Sequence, residues 1–326
     1  MRRRSGRWLA ALSVGFVGAL VVAACGGDNR ASSSTASTGG TGGTGSTGSA
    51  PARVLHVVTT TTQITDFARN IGGDQVKIYA VLKPNVDPHD YEPTPADLDA
   101  IAKADVIVKN GVALEKWFGD TIRSASPKGP IVDASQDVPL RSAAKSDEPE
   151  GDPHVWHNPQ NAKVMAANIA KAFEAVDAGA TPTFETNLAA YSAQLDALDA
   201  NIKAQIATLP NKKLVTNHDA FGYYVDHFGL EFVGSVIPSF DSQAELSPGD
   251  INDLVAKIKA QGVKAVFSES SLPPKTAEAI AREAGVKVVD GDDALYGDTL
   301  GPVGSDGDTY LKMEEHNTKE IVANLG

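Results

Sequence analysis

Between positions 182 and 209 the apolar residues Phe184, Leu188, Tyr191, Leu195, Leu198, Ile202, Ile206 and Leu209 recur at intervals of three and four. That spacing is one face of an α-helix. At 1.5 Å per residue such a helix is about 40 Å long, enough to span a small lobe from end to end. A helix of this length in the middle of a chain acts as a spine, and it predicts that the segments before and after it form two halves.

Both flanking segments alternate short β-branched runs with longer amphipathic stretches. Upstream, strands are predicted at 54–58, 76–82, 104–109 and 131–132, and helices at 62–70, 94–103 and 114–124, with another from 158–159 to about 176. Thr94 and Pro95 have the chemistry of an N-cap and a first helical turn. Downstream, strands are predicted at 213–216, 231–237, 265–268 and 286–289, and helices at 220–228, 248–261, 274–284 and 308–324. A βαβα order implies parallel sheets covered by helices. The expected fold is α/β: two Rossmann-like lobes at 52–180 and 211–326, bridged by a spine helix at 181–210.

The first 24 residues read as a signal peptide. Arg2, Arg3, Arg4 and Arg7 form a basic start and an apolar run follows to Ala24. Val22-Ala23-Ala24-Cys25 resembles a bacterial lipobox, so Cys25 is the expected lipidation site; an uncleaved N-terminal anchor is the competing reading. Cys25 is the single cysteine, which excludes a disulfide within the chain. Residues 25–51 are nearly all Gly, Ser, Thr and Ala after the cysteine, too polar and small to repay their ordering entropy, and read as a flexible tether spanning about 25–30 Å. Loss of the four arginines takes the formal net charge from −12 to −16. That balance argues against nucleic acid as a partner and favours cations in general.

Chemistry enters with a repeated tripeptide. Asp87-Pro88-His89 and Asp152-Pro153-His154 lie 65 positions apart in a chain with seven histidines, followed by an isolated His218 and by Asp298 in a Leu-Tyr-Gly-Asp-Thr-Leu-Gly run. Neutral imidazoles and a carboxylate suit a borderline divalent metal such as zinc, and less specifically manganese. Taken singly, a loop histidine is more often a hydrogen-bonded surface residue; the repetition of the tripeptide argues against that for His89 and His154. Proline restricts its own φ and the residue before it, so each imidazole is presented from a stiffened backbone. All four residues fall in loops beyond predicted strands, where ligands of open α/β sheets bind. Asp87, Asp90, Asp152 and Asp219 are candidates to accept from the outward ring nitrogens, with ordinary turn or cap roles as the alternative. His157 forms a His-x-x-His pair with His154 and is a candidate accessory ligand, although Asn158-Pro159 still marks a loop. His56, His227 and His316 read as structural or surface residues.

Several of these segments together resemble the cluster A-I receptors, the zinc and manganese solute-binding proteins of ABC transporters. Leu82-Lys83-Pro84 through Asp87-Pro88-His89-Asp90-Tyr91-Glu92-Pro93 is similar to the first ligand loop of that family. Asn110-Gly111 with Leu114-Glu115 is similar to the element after its third strand. Asp152-Pro153-His154-Val155-Trp156 resembles its second ligand loop and His218-Asp219-Ala220-Phe221-Gly222-Tyr223 its third. Glu269-Ser270-Ser271 with Lys275, and Leu295 through Gly301, complete the set. The resemblance runs from about Val54 to the C-terminus. It implies a receptor whose metal lies in the cleft between lobes, with His89 and His154 from one side and His218 and Asp298 from the other. Glu115, Trp156 and Glu269 are candidates to line or support this pocket, against readings as a helix-surface acid, a core aromatic and a strand-end cap.

Zn2+ is the favoured metal and Mn2+ the alternative: manganese receptors of the family often carry Glu at the third position, occupied here by His218. Two departures weigh on that choice. The stretch 142–151 is acidic but lacks the histidines of many zinc receptors, and the disulfide of some members is impossible here. The implied partner is a membrane permease of an ABC transporter, met by a monomeric receptor anchored to the outer face of the cytoplasmic membrane. Four protein ligands complete a tetrahedral shell and leave no open position for activated water, so capture rather than catalysis is expected. Affinity should fall below about pH 6.5, the ordinary histidine pKa. A metallohydrolase would require one of the four not to bind, and the sequence has no His-Glu-x-x-His helix. A surface lipoprotein for adhesion or metal buffering is the other competing class.

Overall fold

The computed structural model describes residues 53–141 and 150–326; the leader, Cys25, the tether and most of the acidic stretch at 142–151 lie outside them. The upstream half holds β1 (Leu55–Thr59), α1 (Thr62–Gly72), β2 (Val76–Ala80), α2 (Pro95–Lys103), β3 (Val106–Lys109), α3 (Phe118–Ala125) and β4 (Ile131–Asp133). The four strands pair in parallel in the order β2-β1-β3-β4. Then come α4 (Pro159–Val176) and the spine, α5 (Thr181–Ala207). Its 27 residues correspond to the predicted stripe and to about 40 Å.

Downstream lie β5 (Lys213–His218), α6 (Gly222–Phe228), β6 (Glu231–Ile237), α7 (Pro248–Gln261), β7 (Ala265–Phe267), α8 (Lys275–Ala284), β8 (Lys287–Val289) and α9 (Tyr310–Leu325). Here the ladder is broken: β5 pairs with β6 and β7 with β8, both in parallel, while β5 lies beside β7 without a regular ladder. The β5–β6 register shifts between Leu214 and Val215, opposite Gly234.

Side chains alternate across each sheet with period two. Leu55, Val57, Val106 and Val108 face a central core shared with α1, α4, α5, α6 and α9, while Val58 and Ile107 face α2 and α3. The downstream half follows the same rule. Leu214, Ala265 and Phe267 join the central core, and Val215 and Val266 pack under α7 and α8. One apolar cluster therefore runs from Leu55 to Leu325 through the spine, and each half adds a thinner outer layer of its own. Among the described residues no helix is long and apolar enough to cross a membrane.

Local chemistry places the loops. Thr94 and Asp97 form a reciprocal capping box at α2, Ser247 and Asp250 another at α7, and Asn158 caps α4 ahead of Pro159. The predicted helix at 114–124 starts later, at Phe118. Gly111, Val112 and Ala113 all have positive φ, which ends any helical start, and Glu115 is turned inward instead of lying on a helix surface.

Candidate metal centre

Each of the four proposed ligands sits at or beyond the carboxyl end of a strand; His218, expected in a loop, still belongs to its strand. His89 follows β2, His154 lies between β4 and α4, His218 is the last residue of β5, and Asp298 follows β8. The structure brings all four together: one donor atom from each lies within 4.8 Å of the others. Asp298 is the hub, with its carboxylate 3.2 Å from His154 Nε2, 3.3 Å from His218 Nε2 and 3.5 Å from His89 Nε2. The side chains of His154, His218 and Asp298 have no solvent exposure and that of His89 has 2%. Neither Asp298 oxygen and neither His89 ring nitrogen has a hydrogen-bond partner. Unpartnered buried polar atoms are costly, and His89 Nε2 and the two Asp298 oxygens, facing one another in the interior, are what a cation-binding centre would satisfy.

Two of the imidazoles are fixed from behind. His154 Nδ1 meets Asp152 Oδ1 at 2.8 Å, and the same oxygen accepts from the His154 backbone N–H at 3.0 Å. His218 Nδ1 meets Glu269 Oε1 at 2.8 Å, and that oxygen also accepts from the His218 N–H at 3.0 Å. An imidazole whose Nδ1–H faces a carboxylate directs its Nε2 lone pair away from it, here toward Asp298. The candidate acids therefore divide. Asp152 holds an imidazole. Asp87 accepts from the His89 N–H, Ser242 and Gln243 and so shapes the loop. Asp90 is exposed. Asp219 is not the partner of His218; Glu269 is, from 51 residues away.

Electrostatics follow this arrangement. Burial favours neutral His89 and lowers its pKa to about 4, with Asp298 opposing. Burial has the same effect on His154, but Asp298 and Asp152 outweigh it and raise its pKa to about 9. Burial is likewise outweighed at His218 by Glu269 and Asp298, which push its pKa well above the ordinary value. Asp298 stays ionised despite burial because His218 and His154 face it. The carboxylates of Asp298, Asp152 and Glu269 thus favour protonation of His154 and His218, in competition with a divalent cation.

The remaining candidates support the loops. Trp156 is fully buried, packs edge-on against the His154 ring and donates from Nε1 to Gly297 O, next to Asp298, at 3.2 Å. Glu115 accepts from Thr60 Oγ1, Asn110 N–H and Gly111 N–H, and Asn110 in turn donates to Pro153 O at 3.0 Å. Glu115 therefore steadies the strained turn at 111–113, on which the second Asp-Pro-His loop rests. His157 does not join the cluster. Its ring stacks on Phe221 and its Nδ1 meets Glu314 Oε1 at 2.8 Å in the interior. His316 is buried against Ala294 O, His227 contacts Asp199, and His56 is exposed beside Asp105.

Comparison with known proteins places the fold in a family. Residues 57–324 match the family described as zinc-uptake complex component A, periplasmic (ZnuA). The zinc-binding protein TroA of Treponema pallidum is 34% identical over 276 residues, covering 82% of this chain and 88% of TroA. The manganese ABC transporter substrate-binding lipoprotein PsaA of Streptococcus mitis is 30% identical over 281 residues, covering 83% and 89%. The solved structure of the periplasmic zinc-binding protein TroA superimposes with a TM-score of 0.78 at 31% identity, over 84% of this chain and 99% of that one. This chain belongs to the ZnuA family.

Proposed function

We propose that this ZnuA-family chain is the extracytoplasmic receptor that captures a divalent transition metal and delivers it to an ABC permease, with His89, His154, His218 and Asp298 as the ligands. The observation that carries the reading is the convergence of those four buried groups from both halves of the chain, with the Asp298 oxygens and His89 Nε2 lacking any other partner. Relatives of the chain are substrate-binding proteins, not enzymes, and their names divide among zinc, manganese and iron. Three nitrogens and one oxygen favour zinc over manganese, which prefers oxygen-rich octahedral sites. Lobes at 52–180 and 211–326 joined by 181–210 would be pinned together by the metal. Cys25 would carry the lipid and 26–51 the tether, holding the receptor beside its permease.

The test is elemental analysis with competitive titration against Zn2+ and Mn2+. One equivalent should bind, zinc more tightly. Each of His89→Ala, His154→Ala, His218→Ala and Asp298→Ala should cost more than the roughly 10–100-fold that follows loss of an outer hydrogen-bond partner. Wild-type affinity in any one of them removes that residue from the ligand set, and an open position filled by water would turn the reading toward catalysis.

A further inference from the structure

The carboxylate behind His154 is itself held by a side chain that also reaches the downstream half. Asp152 uses Oδ1 on His154, while its Oδ2 accepts from Arg141 Nη1 at 2.5 Å. The same guanidinium donates from Nε to Asp226 Oδ2 on α6 at 2.6 Å. That helix begins four residues after His218. The guanidinium also lies over the Tyr223 ring, 5.6 Å from its centroid. Tyr223 OH closes the circuit, accepting from the Arg141 N–H and donating to Asp152 O, both at 3.0 Å. Arg141 O accepts from the Asp152 N–H at 2.9 Å. The guanidinium passes so close to α6 that a Cβ on Gly222 would fall 1.6 Å from Nη1.

We propose that Arg141 is a positioning residue for the metal centre: its two-sided bridge between Asp152 and Asp226 sets the His154 loop in register with the His218 loop, and so governs how firmly the metal is held. This rests on the metal-site reading above. The two imidazoles come within 3.3 Å of each other at Nε2, a separation that depends on two loops from different halves of the chain. Arginine suits the task because its planar fork presents separate N–H groups to two acceptors at fixed angles. Lysine offers three donors on one nitrogen at the end of a flexible stem and so fixes the two carboxylates less firmly relative to each other. The hydrogen bonds of the guanidinium go to Asp152 and Asp226, neither of which is a proposed ligand. Its removal should loosen the relation between His154 and His218 without deleting a donor.

The experiment uses the full chain with Arg141→Gln, Arg141→Lys and Asp226→Asn, read by Zn2+ release into a chelator and by the visible absorption of bound Co2+. Thermal midpoints of the metal-free proteins are taken alongside. Arg141→Gln should release Zn2+ at least about tenfold faster, at the lower end for loss of an outer partner, and should alter the Co2+ spectrum. Arg141→Lys should recover less than half of that loss. Asp226→Asn, a change at a mostly exposed side chain, should shift both readouts in the same direction even if Arg141→Gln fails to fold. The Arg141→Gln, Asp226→Asn double variant should be no worse than Arg141→Gln. Wild-type release and spectrum in Arg141→Gln or Asp226→Asn, full rescue by lysine, or a lowered metal-free midpoint with both metal readouts unchanged overturns the proposal. Failure of the wild-type chain to take up Zn2+ or Co2+ overturns the receptor reading instead.

Discussion

Gly297 stands beside Asp298, and what it lacks is as informative as what surrounds it. A Cβ built there would lie 2.0 Å from Glu269 Oε2 and 2.9 Å from its Cδ. Glu269 is not free to swing away, because its other oxygen is committed to His218 N–H and Nδ1. Reaching an ordinary contact of about 3.4 Å requires the carboxylate to move by more than 1 Å, in a close-packed interior. A 2.8 Å bond stretched by that amount is no longer a hydrogen bond. The alternative is that Gly297 retreats, but its carbonyl is held by Trp156 Nε1 at 3.2 Å, so Asp298 would be dragged out of place. Either route damages the centre. Gly297→Ala should cost about 1–3 kcal/mol of stability as overpacking, several degrees in Tm for a body of this size. Metal affinity should fall by about 10–100-fold through the lost imidazole partner, or about 1.4–2.7 kcal/mol. Competitive Zn2+ titration of the folded variant reads the second figure and a thermal scan the first. Glu269→Asp shortens the acid away from the new methyl, so the double variant should lose less than the sum of the singles. Wild-type affinity in Gly297→Ala, or strictly additive losses, would refute the packing argument.

Proton release gives a further prediction. With His154 at about 9 and His218 also raised, binding at pH 7 should expel protons from these two and none from His89, whose pKa is about 4. Affinity should keep rising with pH up to about 9; calorimetry in buffers of different ionisation enthalpy checks it, and metal uptake without proton release contradicts it. For the metal-free fold the sign is opposite. A His154 pKa raised above its unfolded value stabilises fully below about pH 6.5 and loses that contribution as pH passes about 9, so metal-free Tm should fall across this window. His157→Ala should leave Glu314 buried without its partner and cost about 1–3 kcal/mol of stability, while Zn2+ affinity stays within a few-fold. A loss of metal comparable with that of His154→Ala would return His157 to the ligand set.

The spine and the strands were legible because one-face periodicity and β-branched runs are local signals. His89 and His154 stood out because Asp-Pro-His recurs, while His218 and Asp298 were joined to them as isolated candidates in loops after predicted strands and by the family resemblance. What escaped sequence reasoning is long-range. Glu269 reads only as a candidate to line the pocket, not as the carboxylate that holds His218 across 51 residues, and Arg141 reads as an ordinary polar residue until α6 is folded against it. The late start of α3 follows from three successive positive φ values, which only Gly111 announces in sequence. The expected pH threshold near 6.5 takes histidine with its unperturbed pKa, whereas the folded site pushes the His154 imidazole upward. Asp298 and Asp152 face His154 at hydrogen-bonding range and move the competition with protons upward.

The shared core limits how metal leaves. Leu55, Phe67, Phe184, Leu195, Leu214, Phe267 and Leu325 belong to one buried cluster that crosses the spine from one half to the other. Opening the halves as rigid bodies would expose part of that cluster, at roughly 25 cal/mol per Å2 of apolar surface. Loops cost less to move. The Asp298 loop is joined to the upstream half by Thr62 Oγ1 on the Leu300 N–H, Thr299 Oγ1 on the Asn85 N–H and Trp156 on Gly297 O. The rim opposite is joined by Lys116 on Asp241 and Ser242 on Asp87. These contacts are each worth about 0.5–1.5 kcal/mol when neutral and about 1.5–3 kcal/mol where the acceptor is the Asp87 carboxylate, and less than about 1 kcal/mol for an exposed ion pair. Release should therefore proceed by displacement of the loops at 84–93, 239–243 and 295–305 while the spine and its core stay fixed. Hydrogen exchange with and without Zn2+ should show protection gained in those loops and unchanged amides along α5. Protection changing equally in α5, or absent from the loops, would mean that the halves move as bodies after all.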